Sequence, residues 1–185
     1  MKTINYSIQI YTYWHCGSGL AAGADVDLLP VKNKKGLPYV PGKTIKGLVR
    51  EAAETICSLQ NLDIDLNECF GFFDNAEEKR QGQTFFTNAE LSELDCHYII
   101  NNNAQKYLYK SLASTAVNIK GVAEEHSLRK MEVVVPCVLK GEVLNVPDNC
   151  VDVIKKSLSF VKRLGQNRTR GLGRCDIKVE KVRGR

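Results

Sequence analysis

Hydrophobic and polar residues alternate at both ends of the chain, a pattern typical of β-strands that bury one face. Near the amino terminus the apolar set is Ile4, Tyr6, Ile8 and Ile10. Near the carboxyl terminus it is Cys175, Ile177 and Val179. Two segments between them, 84–87 and 132–139, carry further strand patterns, with apolar residues on one side of the second.

Two other segments show the three- and four-residue spacing of amphipathic helices. The first runs from Ile45 to Leu59 along its apolar face. The second is expected to follow a cap at Pro147 with Asp148 or Asn149, to carry an apolar stripe from Val151 to Leu164, and to stop at Gly165. The order strand, helix, strand, strand, helix, strand predicts an α+β, ferredoxin-like fold with an antiparallel sheet packed by two helices. The segment at about 106–130 fits none of these elements and is interpreted as an insertion in one domain spanning 1–185.

Composition places the chain among ordinary globular proteins. Of its 185 residues, 43% are hydrophobic and 25% charged, enough for one domain with a core. No run approaches a membrane span, and the amino terminus does not resemble a signal peptide, so a cytoplasmic protein is expected. Seven scattered cysteines without a Cys-x-x-Cys pair argue against a disulfide framework and a zinc ribbon. The net charge of +5 suits an anionic partner.

Two basic loops carry the candidate chemistry. In the first, Pro41-Gly42 leads into the first helix, whose free N–H groups and positive dipole end can hold a phosphate. This helix carries Lys43, Thr44, Lys46 and Arg50, and its three cations form a basic stripe. The second loop, 165–174, combines glycines with Arg168, Arg170 and Arg174, which supply donors for phosphate or for base stacking. A solvated helix face and a tight connection are the simpler interpretations of these two loops.

Four segments follow one another in a fixed order. They are the Pro-Gly-x-x-x-Lys-Gly-x-x-Arg block at 41–50, Cys69-Phe70-Gly71 with the strand 84–89, the stretch 116–133, and the Arg-x-Arg-Gly-x-Gly-Arg loop at 168–174. Together they resemble the RAMP superfamily proteins of type III CRISPR complexes. The third segment resembles the thumb hairpin of backbone subunits. Asn88 departs from the family's usual Asp-Ala, and the chain is shorter than a usual backbone subunit, so a shortened thumb or lid is expected.

The resemblance implies a subunit that binds guide RNA and its paired target RNA in antiviral defence. Copies would stack as a filament with other type III effector subunits. By matching position, guide phosphates would be held by Lys43, Thr44, Lys46, Arg50, Arg168, Arg170 and Arg174. Lys120, His126 and Arg129 would lie on the thumb.

The resemblance also implies a catalytic candidate in the loop after the first strand. Asp27 lies nearest the position of the family's catalytic aspartate, and Asp25 is next. The carboxylate would assist attack of a 2′-hydroxyl on the adjacent phosphate, as a base or as a ligand of Mg²⁺. The simpler interpretation is a solvated loop acid.

Three other functions remain open. One is a non-catalytic scaffold, and another is a guide-processing endoribonuclease that would use His15 or another histidine as general acid or base. The third is a ferredoxin-like RNA binder outside CRISPR biology. Tyr13 and Trp14 could stack on bases, although core packing is expected for at least one of them.

Overall fold

The computed structural model describes residues 1–20, 26–73, 79–116 and 118–184. The strands are β1 (Lys2–Ile10), β2 (Gly71–Phe73), β3 (Lys79–Gln81), β4 (Phe85–Phe86), β5 (Tyr109–Ser114), β6 (Arg129–Val134), β7 (Val138–Val146) and β8 (Cys175–Gly184). The helices are α1 (Gly42–Gln60), α2 (Leu66–Phe70), α3 (Glu93–Asn101) and α4 (Val151–Phe160), with short 3₁₀ turns at Gln105–Leu108, Asp148–Cys150 and Arg168–Arg170.

The central sheet has the strand order β4-β7-β1-β8, and each neighbouring pair is antiparallel. The helices α1 and α4 contact one another and cover one face of this sheet. This is the predicted ferredoxin-like arrangement, and the fold class is confirmed. No helix in the described parts of the chain combines the length and apolar character needed to cross a bilayer.

The alternation in β1 decides which face of the sheet is covered. Ile4, Tyr6, Ile8 and Ile10 are at most 1% exposed and form the centre of the core. The buried face of α1 meets them through Ile45, Val49 and Ile56. Burying each such side chain stabilises the fold by roughly 1.5–3 kcal/mol. The polar residues between the buried positions of β1 therefore point to the opposite, open face of the sheet.

A β-hairpin occupies the place of the predicted insertion. Strands β5 and β6 pair from Tyr109 opposite Val134 to Ser114 opposite Arg129. Trp14 fastens the base of this hairpin to the central domain, because its backbone exchanges two hydrogen bonds with Val134 and its indole Nε1 donates to the Val135 carbonyl at 3.1 Å. Trp14 is fully buried, whereas Tyr13 remains 38% exposed.

Two predicted boundaries are wrong. The single strand expected at 132–139 is split between β6 and β7, because Pro136 interrupts it and cannot donate to a ladder. The helix expected to reach Leu164 ends at Phe160. Leu164 instead donates its N–H to the Gly173 carbonyl, at 2.9 Å, and Leu164 stays buried in this extended segment.

The expectation about the cysteines also needs correction. Cys69 and Cys150 form a disulfide although 81 positions separate them. Both are fully buried where α2 meets the turn before α4, a meeting that only the tertiary fold creates. The predicted cap at 148–149 is a 3₁₀ turn, and no side-chain cap bond is found at the start of α4.

Candidate nucleic-acid interface

A cleft of about 890 Å³ lies where four segments of the domain meet. Its walls come from the loop after β1, the amino end of α1, the region of β4 and the loop after α4. The residues that line it include His15, Gly17, Ser18, Tyr39, Gly42, Lys43, Thr44, Gly47, Glu51, Phe85, Asn88, Gly165, Gln166 and Arg168. Both basic loops singled out from the sequence therefore contribute to one concave surface.

The amino end of α1 forms one wall of the cleft. No side chain of its capping residue Pro41 bonds to the helix, and no acidic residue lies in its first turn. The Gly42 N–H donates to Asn88 Oδ1 at 3.0 Å, which holds the helix end against the segment after β4. Because Asn88 is neutral, it leaves the positive end of the helix dipole uncompensated, which favours an anion here.

Gly42 is required by the close approach of α1 to β4. A Cβ at this position would lie 2.1 Å from the Phe86 carbonyl oxygen and 2.9 Å from that of Thr87. No side chain can be accommodated at that distance without moving the helix. The Pro-Gly pair thus fixes the residue at which α1 begins and allows the amino end of α1 to pack closely against β4.

His15 contributes a buried nitrogen to the opposite wall. Its side chain is fully buried, and Nδ1 lies 2.7 Å from the carbonyl oxygen of Glu132. Since a carbonyl only accepts, Nδ1 carries a proton. Nε2 has no hydrogen-bond partner within the described structure. As a neutral ring, His15 would accept through Nε2 from a hydroxyl or base N–H; protonated, it would donate to a phosphate.

The glycine-rich loop packs directly on the segment that carries His15. The Gln166 N–H donates to the His15 carbonyl at 2.8 Å, and the Gly173 N–H donates to the Tyr13 carbonyl at 2.8 Å. Gly165 has a positive φ of 80°, and a Cβ there would lie 2.4 Å from the His15 carbonyl oxygen. Its glycine is therefore needed both for the backbone conformation and for this close contact.

The structure divides the predicted phosphate-binding residues into two groups. Lys43, Thr44 and Arg168 line the cleft. Arg50 lies further along α1, where its guanidinium donates to Glu54 at 2.8 Å and to the Gly71 carbonyl at 3.2 Å. Arg50 is thus engaged in fixing the turn before β2.

Three more of the predicted cations also lie outside this group of lining residues. Lys46 lies outside the lining of the cleft. Burial, with a smaller contribution from the charge of Arg50, lowers the pKa of Lys46. Arg170 and Arg174 are exposed on the glycine-rich loop, outside the lining of the cleft.

The three predicted thumb residues lie on the β5–β6 hairpin and are exposed. Lys120 and His126 belong to the loop between the strands, and Arg129 begins β6. None of them lines the cleft. Any contact they make with RNA would therefore be separate from the one at the amino end of α1.

Asp27 is exposed and lies against the base of the hairpin. Its N–H donates to the Lys130 carbonyl at 2.9 Å, and its Oδ2 accepts from the Lys130 N–H at 2.8 Å. These bonds hold the loop alongside β6 and leave Oδ1 without a protein partner among the bonds found in the described structure. The other candidate, Asp25, falls outside the described residues.

The described residues do not form a ready-made magnesium site around Asp27. No group of three or more histidine, cysteine, aspartate or glutamate side chains in the described parts of the chain could hold a metal ion. Mg²⁺ can be held by one or two carboxylates together with substrate phosphates and water. Asp27 alone would supply a single free oxygen, so an ion there would depend on oxygen ligands from RNA.

The family of this chain follows from its match to a protein-family model. The model described as "RAMP superfamily" matches residues 7–176, which include every described residue of the cleft. The chain belongs to the RAMP superfamily. The sequence resemblance to this family is thereby confirmed over nearly the whole chain. Among curated proteins, no relative matches the chain.

Solved structures agree with the RAMP fold. A chain of "Cryo-EM structure of the Type III-B Cmr-beta bound to cognate target RNA" superposes with a TM-score of 0.74 at 11% identity, covering 96% of both chains. A chain of "Type III-B Cmr-beta Cryo-EM structure of the Apo state" gives a TM-score of 0.73 at 12% identity, covering 97% of both. At such low identity the likeness establishes the fold.

Sequence reasoning missed three residues of this RAMP cleft. His15 was considered only as the general acid or base of the guide-processing alternative, Gln166 fell within the glycine-rich loop without a role of its own, and Asn88 was a departure from the family pattern. The structure brings all three to the lining of the cleft. The polar pair His15-Cys16, directly after a strongly alternating strand, was the available signal for the first.

Proposed function

We propose that this RAMP protein binds guide RNA as a subunit of a type III CRISPR effector complex. The observation that carries the proposal is the cleft in which the uncompensated amino end of α1, the cations Lys43 and Arg168, and the unpartnered His15 Nε2 converge. Backbone N–H groups, cations and a buried polar nitrogen are the groups that bind a phosphodiester and its neighbouring sugar or base.

The effector complex is supported by family and fold together. Both structural relatives are chains of type III-B Cmr-beta assemblies, and one of those assemblies holds its cognate target RNA. A subunit of such a complex would have guide RNA, target RNA and other effector subunits as partners. The β5–β6 hairpin stands where a thumb is expected, and its exposed Lys120, His126 and Arg129 are proposed to contact RNA there.

RNA binding at the cleft is tested by removing its two cations. We expect Lys43→Gln/Arg168→Gln to weaken binding of a labelled oligo-uridine in fluorescence anisotropy. The log–log dependence of affinity on salt should flatten by about 1.4, since each phosphate contact to a single strand contributes about 0.7. The matched control is Lys155→Gln/Lys156→Gln, which removes the same charge from α4. An equal loss in both variants would show that only net charge matters and would refute the proposed site.

Target cleavage by Asp27 is a further part of the proposal. Its support is an exposed carboxylate, held beside the hairpin through Lys130, whose Oδ1 has no partner among the described residues. The test adds complementary RNA and Mg²⁺ to the assembled complex and compares wild type with Asp27→Asn, which keeps an acceptor for the Lys130 N–H. Regularly spaced cuts that vanish in Asp27→Asn, with guide binding intact, would assign the carboxylate a catalytic role. If neither protein cuts, the subunit is a scaffold.

His15 supports a second candidate, a guide-processing endoribonuclease. Its Nε2 is unpartnered at the cleft, where a general acid or base could meet RNA. Such an enzyme would cut repeat RNA without a target strand and in the presence of EDTA. Cleavage under these conditions that is lost in His15→Gln would favour processing over guide retention.

A further inference from the structure

Partway along the carboxyl-terminal strand β8, the alternation of its side chains between the two faces of the sheet reverses. In its first half, Ile177 and Val179 stand opposite Ile8 and Tyr6 of β1, on the helix-covered face. A register shift between the partners of Tyr6 and Asn5 inserts one extra residue, and Lys181 then stands opposite Asn5. Val182, opposite Ile4, packs against the core beyond the bulge. Strict alternation would have placed Lys181 under the helices.

The bulge gathers cations on the open face of the sheet. Lys178 stands opposite Ser7, Lys181 opposite Asn5, and Arg183 opposite Thr3. All three are exposed. Arg174, which precedes the buried Cys175, lies on the same face by alternation. We call these four residues, Arg174, Lys178, Lys181 and Arg183, the β8 track. It extends over about 30 Å, at roughly 3.3 Å per residue.

Three acids lie near the β8 track, and one of them, Asp176, is paired with a cation outside the track. Asp176 accepts from Lys162 Nζ at 2.7 Å and from the Tyr11 hydroxyl at 3.0 Å, and these bonds lower its pKa. Glu142 accepts from the Asn5 amide. Glu180 lies exposed at the bulge.

Ion pairs within the described residues leave out the cations of the β8 track. In the described parts of the chain, no residue of the β8 track takes part in an ion pair. Among the residues that the structure describes, the track is therefore a row of cations outside any ion pair.

The β8 track is continuous with the candidate RNA interface. Arg174 ends the glycine-rich loop, and the same loop supplies Gln166 and Arg168 to the cleft. Lys140 of β7 faces the same open surface opposite Ser7. Lysines on an edge strand also discourage sheet-to-sheet pairing, a role that requires no ligand. That role does not require a bulge that turns the cations to one face.

We propose that the β8 track is a second RNA contact, which holds the single-stranded backbone of RNA that leaves the cleft over the glycine-rich loop. The inference rests on the proposed function, because the cleft supplies the first contact. Its ligand is a phosphodiester chain, bound by charge and without base recognition, since contacts to phosphates carry no sequence information directly. Exposed Tyr11, beside Arg174, offers a ring on which a base can stack.

The test compares two RNA lengths on the full chain. The probes are labelled oligo-uridines of about 4 and about 16 nucleotides, the range that one small domain covers. The track variant is Lys178→Gln/Lys181→Gln, and the control is again Lys155→Gln/Lys156→Gln, which removes equal charge from the helix side of the sheet. We expect the track variant to bind the short RNA like wild type. For the long RNA, its salt slope should flatten by about 1.4 relative to wild type and control.

Each outcome separates the two proposals. If wild type binds neither RNA, the proposed function fails. If wild type binds both and the track variant binds the long RNA with an unchanged slope, the β8 track is refuted while the cleft stands. An equal loss in track and control variants also refutes it. If the track variant binds all RNA normally but no longer co-purifies with effector subunits, the face is a protein interface, and the RNA proposal is wrong.

Discussion

Gly17 offers a way to obstruct the cleft without removing any functional group. Its φ lies outside the left-handed region, so alanine is compatible with the backbone. A Cβ at this position would lie 2.9 Å from Gln166 Nε2 and 3.4 Å from His15 Nε2. The Gln166 side chain is exposed and can move away, whereas His15 is fully buried. The added methyl group would therefore fill the space next to the buried, unpartnered nitrogen of His15.

The expected loss is that of one hydrogen bond between His15 and RNA. A neutral hydrogen bond contributes about 0.5–1.5 kcal/mol net, and one to a charged group about 1.5–3 kcal/mol. Since 1.4 kcal/mol is tenfold in Kd, Gly17→Ala should weaken RNA binding by roughly 2-fold to 140-fold. Folding stability should change little, because only a flexible side-chain end must shift.

Fluorescence anisotropy with labelled oligo-uridine measures this loss, and thermal unfolding verifies the fold. The control is Gly47→Ala, which adds a methyl group to another wall of the same cleft, where a Cβ meets nothing within 4 Å. That change should raise helix stability by about 1 kcal/mol and affect binding less. A folded Gly17→Ala protein with wild-type affinity would refute the reasoning, since His15 Nε2 would then not face the RNA.

Three further predictions concern stability and thiol reactivity. Tyr6→Phe removes a buried hydroxyl that has no partner, so thermal unfolding should occur about 2–4 °C higher for a gain near 1 kcal/mol. Burial also raises the pKa of Tyr6 above its usual value of 10.0, so above pH 10 the Tyr6 hydroxyl ionises in the unfolded state and stays protonated in the folded state. The contribution of Tyr6 to the free energy of unfolding should therefore fall above pH 10 in wild type, and Tyr6→Phe should not show this loss. Lower stability of Tyr6→Phe at neutral pH would reveal an unseen partner. Gly42→Ala should lower the free energy of unfolding by about 1–3 kcal/mol through the clash with Phe86, and a wild-type melting temperature would contradict this. Burial raises the pKa of the Cys16 thiol to about 12, so at pH 8 a thiol reagent should label it far more slowly than Cys57, as mass spectrometry would show.

Much of the fold is determined by short-range pattern. The alternation at Ile4 to Ile10 and the helical spacing from Ile45 to Ile56 are local, and both correspond to buried faces in the structure. The Pro41-Gly42 pair marked the start of α1 for an equally local reason, since proline has a fixed φ and lacks the N–H that the interior of a helix requires. The basic loops were visible because their glycines and arginines are adjacent in sequence.

Boundaries that depend on distant partners could not be read in this way. The stripe from Val151 to Leu164 has helical spacing throughout, yet the helix ends at Phe160. Residues 162–164 leave the helix because they pair with the 173–175 segment. The disulfide between Cys69 and Cys150 likewise needs two elements that meet only in the folded domain.

The candidate site shows the same division. The sequence alone determined the RAMP resemblance and the cations Lys43 and Arg168, because motif and charge are written in consecutive residues. Only the tertiary structure brought His15 to the cleft, since its Nδ1 is oriented by Glu132, 117 positions away. Only the structure turned Lys181 to the open face, because a bulge reverses alternation and is defined by pairing with β1. Local chemistry is encoded locally, while the direction in which a side chain points is decided by what packs against it.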